Sequence, residues 1–284
     1  MSLLDRMLAS PTLGCALPHQ GFVRYRQARA EVGGVPLVLL HGIGSGSGSW
    51  TLQLQHAALG HVLAWDAPGY ADSTALKVEQ PTAADYGQVL WAWLDQLGVD
   101  QVHLVGHSLG CIMAAGAAKL QAHRVRTLTL LSPAQGYGTA PEAVREKKTQ
   151  ERLQAMAELG LQKMAAQRAP KLLSTEASSE QLALAIHLMS HLNEGGYAQA
   201  TQLLAQADIR GDLAAFQQHS TAPIRVACGT RDVITPPQAC QALASSLNAP
   251  YTDFSAAGHL CAIEASLAVS DYLLLTSQQG QLHG

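Results

Sequence analysis

Charge is scarce in this sequence, and what there is does not cluster. Charged residues make up 14% of the 284, the net charge is −3, and no block of Lys and Arg occurs. The basic footprint that nucleic acid or an anionic membrane would select is therefore missing, and neither is expected as a partner. Long apolar runs are missing too: no stretch approaches the ~20 residues of a membrane span. At the N-terminus Asp5 and Arg6 interrupt the apolar residues, so no signal-peptide core is expected there. Cysteine is sparse, with five at positions 15, 111, 228, 240 and 261, odd in number and without a C-x-x-C pair. That pattern argues against a disulfide framework and for buried, reduced thiols, so a cytoplasmic location is expected. There is no internal repeat and no low-complexity tract.

What is present is apolar. Hydrophobic residues make up 48% of the chain, enough at this length for one large α/β domain or for a core with an inserted subdomain. Residues 1–20 carry Pro11, Gly14 and Pro18 without a clear period and read as an irregular lead-in. Phe22 to Ala28 alternates apolar and polar side chains, as a half-exposed antiparallel strand does. Gly33-Gly34 reads as a turn. Pro36 to Leu40, Val62 to Trp65, Val102 to Val105 and Arg126 to Leu131 are short apolar runs that predict buried parallel strands. Between them, 51–59 suggests a short helix. Thr82 to Leu97 predicts a longer one, with Asp85 in its first turn and Gly98 as its stop.

From 134 to 221 the texture changes to Ala, Gln, Leu and Glu, with helical character at Pro141 to Gln167 and Glu180 to Leu192 and no convincing buried strand. This stretch is expected to be a helical cap, inserted into a core made of 1–133 and 222–284. Strand character returns at Ile224 to Cys228 and Tyr251 to Phe254, with helices expected at Pro236 to Leu247 and 260–276. Alternating strands and helices imply a mostly parallel sheet covered on both faces.

The chemistry centres on Gly106-His107-Ser108-Leu109-Gly110, a G-x-S-x-G between a predicted strand and an Ala-rich helix running to Leu120. A serine on so tight a turn needs neighbours without a Cβ, and the turn lifts its hydroxyl to the positive end of the helix. A serine nucleophile needs a base, and the base an orienting acid, all at the carboxyl ends of strands. Asp232, in Gly229-Thr230-Arg231-Asp232, and His259, in Ala257-Gly258-His259, meet that condition. No acid closely follows Leu131, where the chain reads Ser132-Pro133-Ala134, which favours Asp232 as the orienter. Two N–H donors are needed for a tetrahedral oxyanion. The backbone N–H of Leu109 is one, and that of Ile43, in the glycine-rich loop after the PLVLL run, is the other.

Other residues carry plainer readings. Asp66 is expected to hold its loop. The loop at 42–48 lacks the Gly-Lys-Ser/Thr of a phosphate cradle. His187 and His191 stand four apart on a predicted helix without a Glu beside His187 or a third ligand, and read as surface or cap-packing residues rather than zinc ligands. Met156, Met164 and Met189 fit either an adaptable pocket or ordinary core filling.

Taken together, His41-Gly42, Asp66-x-Pro-Gly-Tyr70, the Ser108 pentapeptide, Gly229-x-x-Asp232 and Gly258-His259 followed by Glu264 resemble the α/β-hydrolase family over nearly the whole chain. The resemblance implies an eight-stranded sheet with one antiparallel strand and a cap inserted after the sixth strand. It also implies an acyl-enzyme, and neither a metal nor an organic cofactor. Within the family the chain is similar to small capped esterases, enol-lactone hydrolases and carbon–carbon bond hydrolases of aromatic degradation. Two departures stand out. Gly69-Tyr70-Ala71-Asp72-Ser73 replaces Gly-x-Gly-x-Ser, and Ser45 stands where the carbon–carbon hydrolases usually have Pro. Ser108 also argues against the haloalkane dehalogenases, whose nucleophile is Asp.

The expectation is thus a serine hydrolase acting on a small, largely apolar carboxylic ester or lactone. Ser108, His259 and Asp232 would be its triad, and Ile43 and Leu109 its oxyanion donors. One alternative is a carbon–carbon bond hydrolase of an aromatic ring-cleavage product. Another is a ligand-binding sensor or receptor on the same fold. Specificity is expected in the cap and in the loops around Trp50 and Tyr137.

Overall fold

The structure is a computed structural model that describes residues 1–29 and 34–281. Its spine is one eight-stranded sheet in the order β1-β2-β4-β3-β5-β6-β7-β8. The strands are β1 (Leu13–Leu17), β2 (Gly21–Ala28), β3 (Leu37–Leu40), β4 (Val62–Trp65), β5 (Val102–His107), β6 (Val125–Leu131), β7 (Ile224–Gly229) and β8 (Tyr251–Phe254). Only β2 runs against the rest: it pairs antiparallel with both β1 and β4, and every other pairing is parallel.

The helices are α1 (Leu3–Ala9), α2 (Thr51–Leu54), α3 (Ala83–Gln96), α4 (Leu109–Leu120), α5 (Glu142–Arg168), α6 (Ser179–Ser190), α7 (Glu194–Gln206), α8 (Ile209–His219), α9 (Pro237–Ser246), α10 (Cys261–Glu264) and α11 (Ser266–Gln281). Helices α3, α4, α8 and α9 cover one face of the sheet; α2, α10 and α11 cover the other. The period-two alternation of the strands divides the core accordingly. On β3, Val38 and Leu40 join one apolar cluster while Leu37 and Leu39 join the other. All four are essentially inaccessible. Burying each such side chain contributes ~1.5–3 kcal/mol, so a run of apolar residues buried on both faces fixes the strand firmly.

One expectation fails at each end of the chain. The lead-in is not irregular: it forms α1 and then β1. The helix carries a capping box, Ser2 with Asp5, and packs Met7 against Leu184 and Ala185. Strand β1 is an exposed edge with little apolar alternation, so its pairing with β2 creates it more than its own pattern does. The last helix is also split, α10 from α11 around Ala265. The turn expected at Gly33-Gly34 lies partly outside the described residues.

Between β6 and β7 the chain forms α5 to α8 and no strand. Gly160, at φ 68° and ψ 163°, breaks α5 into two limbs, a backbone conformation that favours glycine. Helices α6 and α7 both pack against α5, whereas α8 packs against α4 on the flank of the sheet. No helix among the described residues is long and apolar enough to cross a membrane.

Candidate active site

Ser108 sits between β5 and α4 at φ 54° and ψ −117°, a left-handed conformation rare for a residue with a side chain. The neighbouring glycines permit it. A Cβ on Gly106 would lie 2.5 Å from the Gly110 carbonyl oxygen, and one on Gly110 would lie 2.2 Å from that of Leu40. The backbone is pinned on both sides: Ser108 N–H donates to the Leu131 carbonyl (3.0 Å), and the Ser108 carbonyl accepts from Cys111 (3.0 Å) and Ala134 (3.2 Å). The Ser108 hydroxyl itself makes no hydrogen bond among the described residues, and it faces a cavity that His259 also lines.

Asp232 and His259 are brought into direct contact, with His259 Nδ1 2.8 Å from Asp232 Oδ2. An ionised carboxylate only accepts, so Nδ1 carries the proton and Nε2 is left as the basic nitrogen. The rest of the carboxylate is saturated. Oδ1 accepts the N–H groups of Ile234 (2.8 Å) and Thr235 (2.9 Å), and Oδ2 accepts the Thr235 hydroxyl (2.7 Å). Burial by itself would raise the pKa of Asp232. The hydrogen bond from His259, its charge and the Thr235 donors outweigh burial and hold the carboxyl well below the usual range.

The loops that carry these groups are tied by residues that are not themselves candidates for chemistry. His107 Nε2 lies 2.7 Å from the His259 carbonyl oxygen and so donates to it. Burial first, then the neighbouring His259, push the His107 pKa down to about 3, which keeps this ring neutral. Glu264 accepts from Gly258 N–H (2.9 Å) on one oxygen and from Ser174 N–H (2.8 Å) on the other, joining the His259 loop to the helical segment between β6 and β7. Asp66 holds its loop, as expected: it accepts Ser47 N–H (2.7 Å) and Ser47 Oγ–H (2.9 Å) from the glycine-rich segment.

The Ile43 peptide is fixed from both ends. His41 Nε2 accepts Ala67 N–H (3.1 Å), so its Nδ1–H donates to the Gly42 carbonyl (2.9 Å). A trans peptide then sends the Ile43 N–H the opposite way. The Ile43 carbonyl accepts the Tyr70 hydroxyl at 3.0 Å. Leu109 is the first residue of α4, where an N–H has no partner within the helix and the macrodipole is positive. Among the described residues neither the Ile43 nor the Leu109 N–H meets an acceptor, and both residues line the cavity beside Ser108.

That cavity holds about 500 Å³, the size of a small-molecule site. Tyr137 lines it, as does Met189. Trp50 does not: the short turn Ser47–Trp50 points its ring inward, edge-on to His107 and fully buried. The glycine-rich loop that leads to Trp50 nonetheless reaches the cavity, through Gly42, Ile43, Gly44 and Ser45. Met156 and Met164 are core residues. His187 and His191 stack on one another at 4.0 Å. Among the described residues no group of three or more His, Cys, Asp or Glu is placed to hold a metal ion. All five cysteines are free, and four of them are buried.

Sequence reading missed His107, Thr235 and Tyr70 as supports of the site. Thr235 had a signal: an Asp three residues before a Thr commonly folds into a turn that points amides back at the carboxylate.

Residues 35–266 match the family model described as alpha/beta hydrolase fold. The chain belongs to the alpha/beta hydrolase family. The chain is similar to several known proteins. It is 27% identical over 248 residues to the dihydrolipoyllysine-residue acetyltransferase component of the acetoin cleaving system of Cupriavidus necator, covering 85% of this hydrolase-fold chain and 63% of that protein. The chain thus spans less than two thirds of that relative's length. An esterase from Thermogutta terrifontis, solved with malate bound, superposes with a TM-score of 0.81 at 19% identity, over 95% of this chain and 99% of that one. The enol-lactonase of Burkholderia xenovorans superposes with a TM-score of 0.78 at 21% identity, over 94% and 99%. The family match supports a hydrolase, and the likeness to these two solved structures shows the fold.

Proposed function

We propose that this protein is a serine hydrolase of a small carboxylic ester or lactone, working through an acyl-enzyme on Ser108. One observation carries the reading. Ser108, a His259 already oriented by Asp232, and two unengaged N–H groups, those of Ile43 and Leu109, border the same cavity. In the proposed reaction Ser108 Oγ attacks the carbonyl carbon as His259 Nε2 takes its proton. Asp232 steadies the imidazolium, and the two N–H groups receive the negative oxygen; each such donor is worth roughly a hundred- to a thousandfold in rate. His259 then protonates the leaving oxygen, and a water repeats the sequence to free the acid.

The name of the acetyltransferase relative suggests a second outcome for the same acyl-enzyme, attack by a thiol in place of water. Product analysis with a thiol acceptor present separates transfer from hydrolysis. The primary test is turnover of 4-nitrophenyl acetate and of a small enol-lactone. Ser108-dependent release of the acid supports the reading, and no turnover of either sinks it.

We further propose that the insertion at 134–221 works as two parts. Its first three helices act as a lid over the cavity, and α8 serves as part of the sheet's cover. In support, Met189 on α6 and Tyr197 on α7 line the cavity, whereas Phe216 on α8 lies buried in the core. A lid of this kind excludes water from the reacting carbonyl.

A further inference from the structure

The cavity wall contributed by the lid is not purely apolar. Arg152, on the first limb of α5, Arg168, at the end of its second limb, and Lys171, in the turn that follows, all line the cavity. Among the described residues no Asp or Glu lines it. The chain as a whole carries a net charge of −3, so this excess of positive charge is local and opposite in sign to the molecule.

None of the three cations has an ion pair among the described residues. Arg168 is aimed. Its Nη1 donates to the buried Tyr197 hydroxyl at 2.7 Å, which fixes the guanidinium and leaves the tyrosine proton free to donate. Arg152 lies within electrostatic reach of the Tyr70 hydroxyl, the group that holds the Ile43 carbonyl at 3.0 Å. Its charge therefore stands near the wall that carries Ile43. Arg152 and Arg168 are half-buried, so each has given up part of its hydration without a protein counter-charge in return. A cavity that gathers cations and excludes acids focuses its field on an anion. Planar guanidinium groups match a carboxylate in geometry as well as in charge.

We propose that this cavity is built for a substrate bearing a free carboxylate in addition to the carbonyl that reacts, with Arg168, Arg152 and Lys171 gripping the carboxylate. The proposal rests on reading Ser108 as the attacking group. It narrows the expected small, largely apolar ester to a half-ester or lactone of a dicarboxylic acid. The apolar side chains between the two polar ends, such as Leu172 and Met189, would take the connecting carbons.

The test uses mono(4-nitrophenyl) glutarate beside its uncharged counterpart 4-nitrophenyl pentanoate, and reads the ratio of their kcat/KM values. One engaged guanidinium predicts a ratio of about ten or more in favour of the anion. That ratio should fall toward one in Arg168→Met and Arg152→Met, be partly kept in Arg168→Lys, and shrink with added salt. A ratio near one in the unaltered protein, with hydrolysis of both esters dependent on Ser108, overturns the carboxylate proposal and leaves the hydrolase reading standing. If neither ester is hydrolysed, the hydrolase reading fails, and calorimetry of glutarate with the Ser108→Ala protein decides the cation site separately. Saturable binding that Arg168→Met weakens about tenfold supports the site, and no binding overturns it. Inorganic phosphate competing as strongly as glutarate would also overturn the assignment to a carboxylate.

Discussion

The two walls of the cavity are held in opposite ways. On the sheet side the groups that set the reacting geometry are held by hydrogen bonds. Asp232 accepts from His259, Ile234 and Thr235, His107 holds the His259 carbonyl, and His41 with Tyr70 holds the Ile43 peptide. Among the described residues the groups left without partners where this wall meets the cavity are the Ser108 hydroxyl, the Ser45 hydroxyl and the amides of Ile43 and Leu109. On the lid side the charged groups themselves have no ion pair among the described residues, and Arg168 is steadied by Tyr197. A reacting centre needs fixed geometry, because a misplacement of about an ångström can cost a hundredfold in rate. A recognition wall needs unspent charge. On the proposed reading the sheet loops carry the chemistry and the lid the choice of substrate, and each half can be broken separately.

The largest effect should follow from Ser108→Ala. Removing the attacking group of a triad lowers kcat by about a million-fold in a well-studied protease. Esterase assays on the purified variant, with circular dichroism as a check on the fold, should show activity gone and structure kept. A variant that retains about a tenth of the activity would place the nucleophile elsewhere. Next, Asp232→Asn should cost about four orders of magnitude in kcat with little change in KM, since an amide no longer fixes the imidazole tautomer. A rise in KM with kcat intact would move Asp232 to the recognition side of the comparison.

Exchanging Glu142–Gln206 for a short Gly/Ser linker should do the reverse. Ser108 should still react with a small phosphonate, while KM for the preferred ester rises by about tenfold or more. An unchanged KM would deny the lid its role in choosing substrate.

The remaining effect is on stability rather than on rate. His107 titrates at about 3 and His103 at about 4 in the folded chain, against an ordinary histidine value of 6.5, in both cases chiefly because burial disfavours the charged ring. A histidine whose folded pKa is depressed leaves stability intact above 6.5. As pH falls from there toward the folded value, the unfolded chain binds the proton that the folded one refuses. The loss is up to ~1.4 kcal/mol per pH unit for each ring. Asp232 adds a further loss of the same sign below about pH 4, where its unfolded carboxyl becomes protonated. Urea unfolding between pH 7 and 4 should show this decline, and His107→Asn should make it shallower by about one proton. Stability that stays flat from 6.5 to 4.5 would mean the rings are not held neutral.

How much of this was legible in the sequence follows the same division. The sheet strands were readable because apolar runs such as LVLL must be buried on both faces. The G-x-S-x-G turn was readable because Gly106 and Gly110 answer steric demands that no other residue meets. Strand β1 was not readable, since an exposed edge strand takes its form from its neighbour rather than from its own pattern. The lid cations were not readable either. Arg152, Arg168 and Lys171 lie in a polar helical stretch where charge ordinarily means solvent, and only the break at Gly160 and the packing of α6 and α7 turn them toward a cavity. The Trp50 ring fills the core, while the glycine-rich loop before it reaches the cavity at Gly42, Ile43, Gly44 and Ser45.

The most direct test of the central claim is to treat the protein with a small alkyl phosphonate ester and locate the adduct by peptide mass spectrometry. Ser108 at the head of α4, with His259 as its base and two free amides beside it, predicts one adduct per chain. It should lie on the peptide containing Ser108, form slowly or not at all in His259→Ala, and be absent in Ser108→Ala. An adduct on another residue, or a Ser108 that stays unmodified while the protein hydrolyses esters, would contradict it.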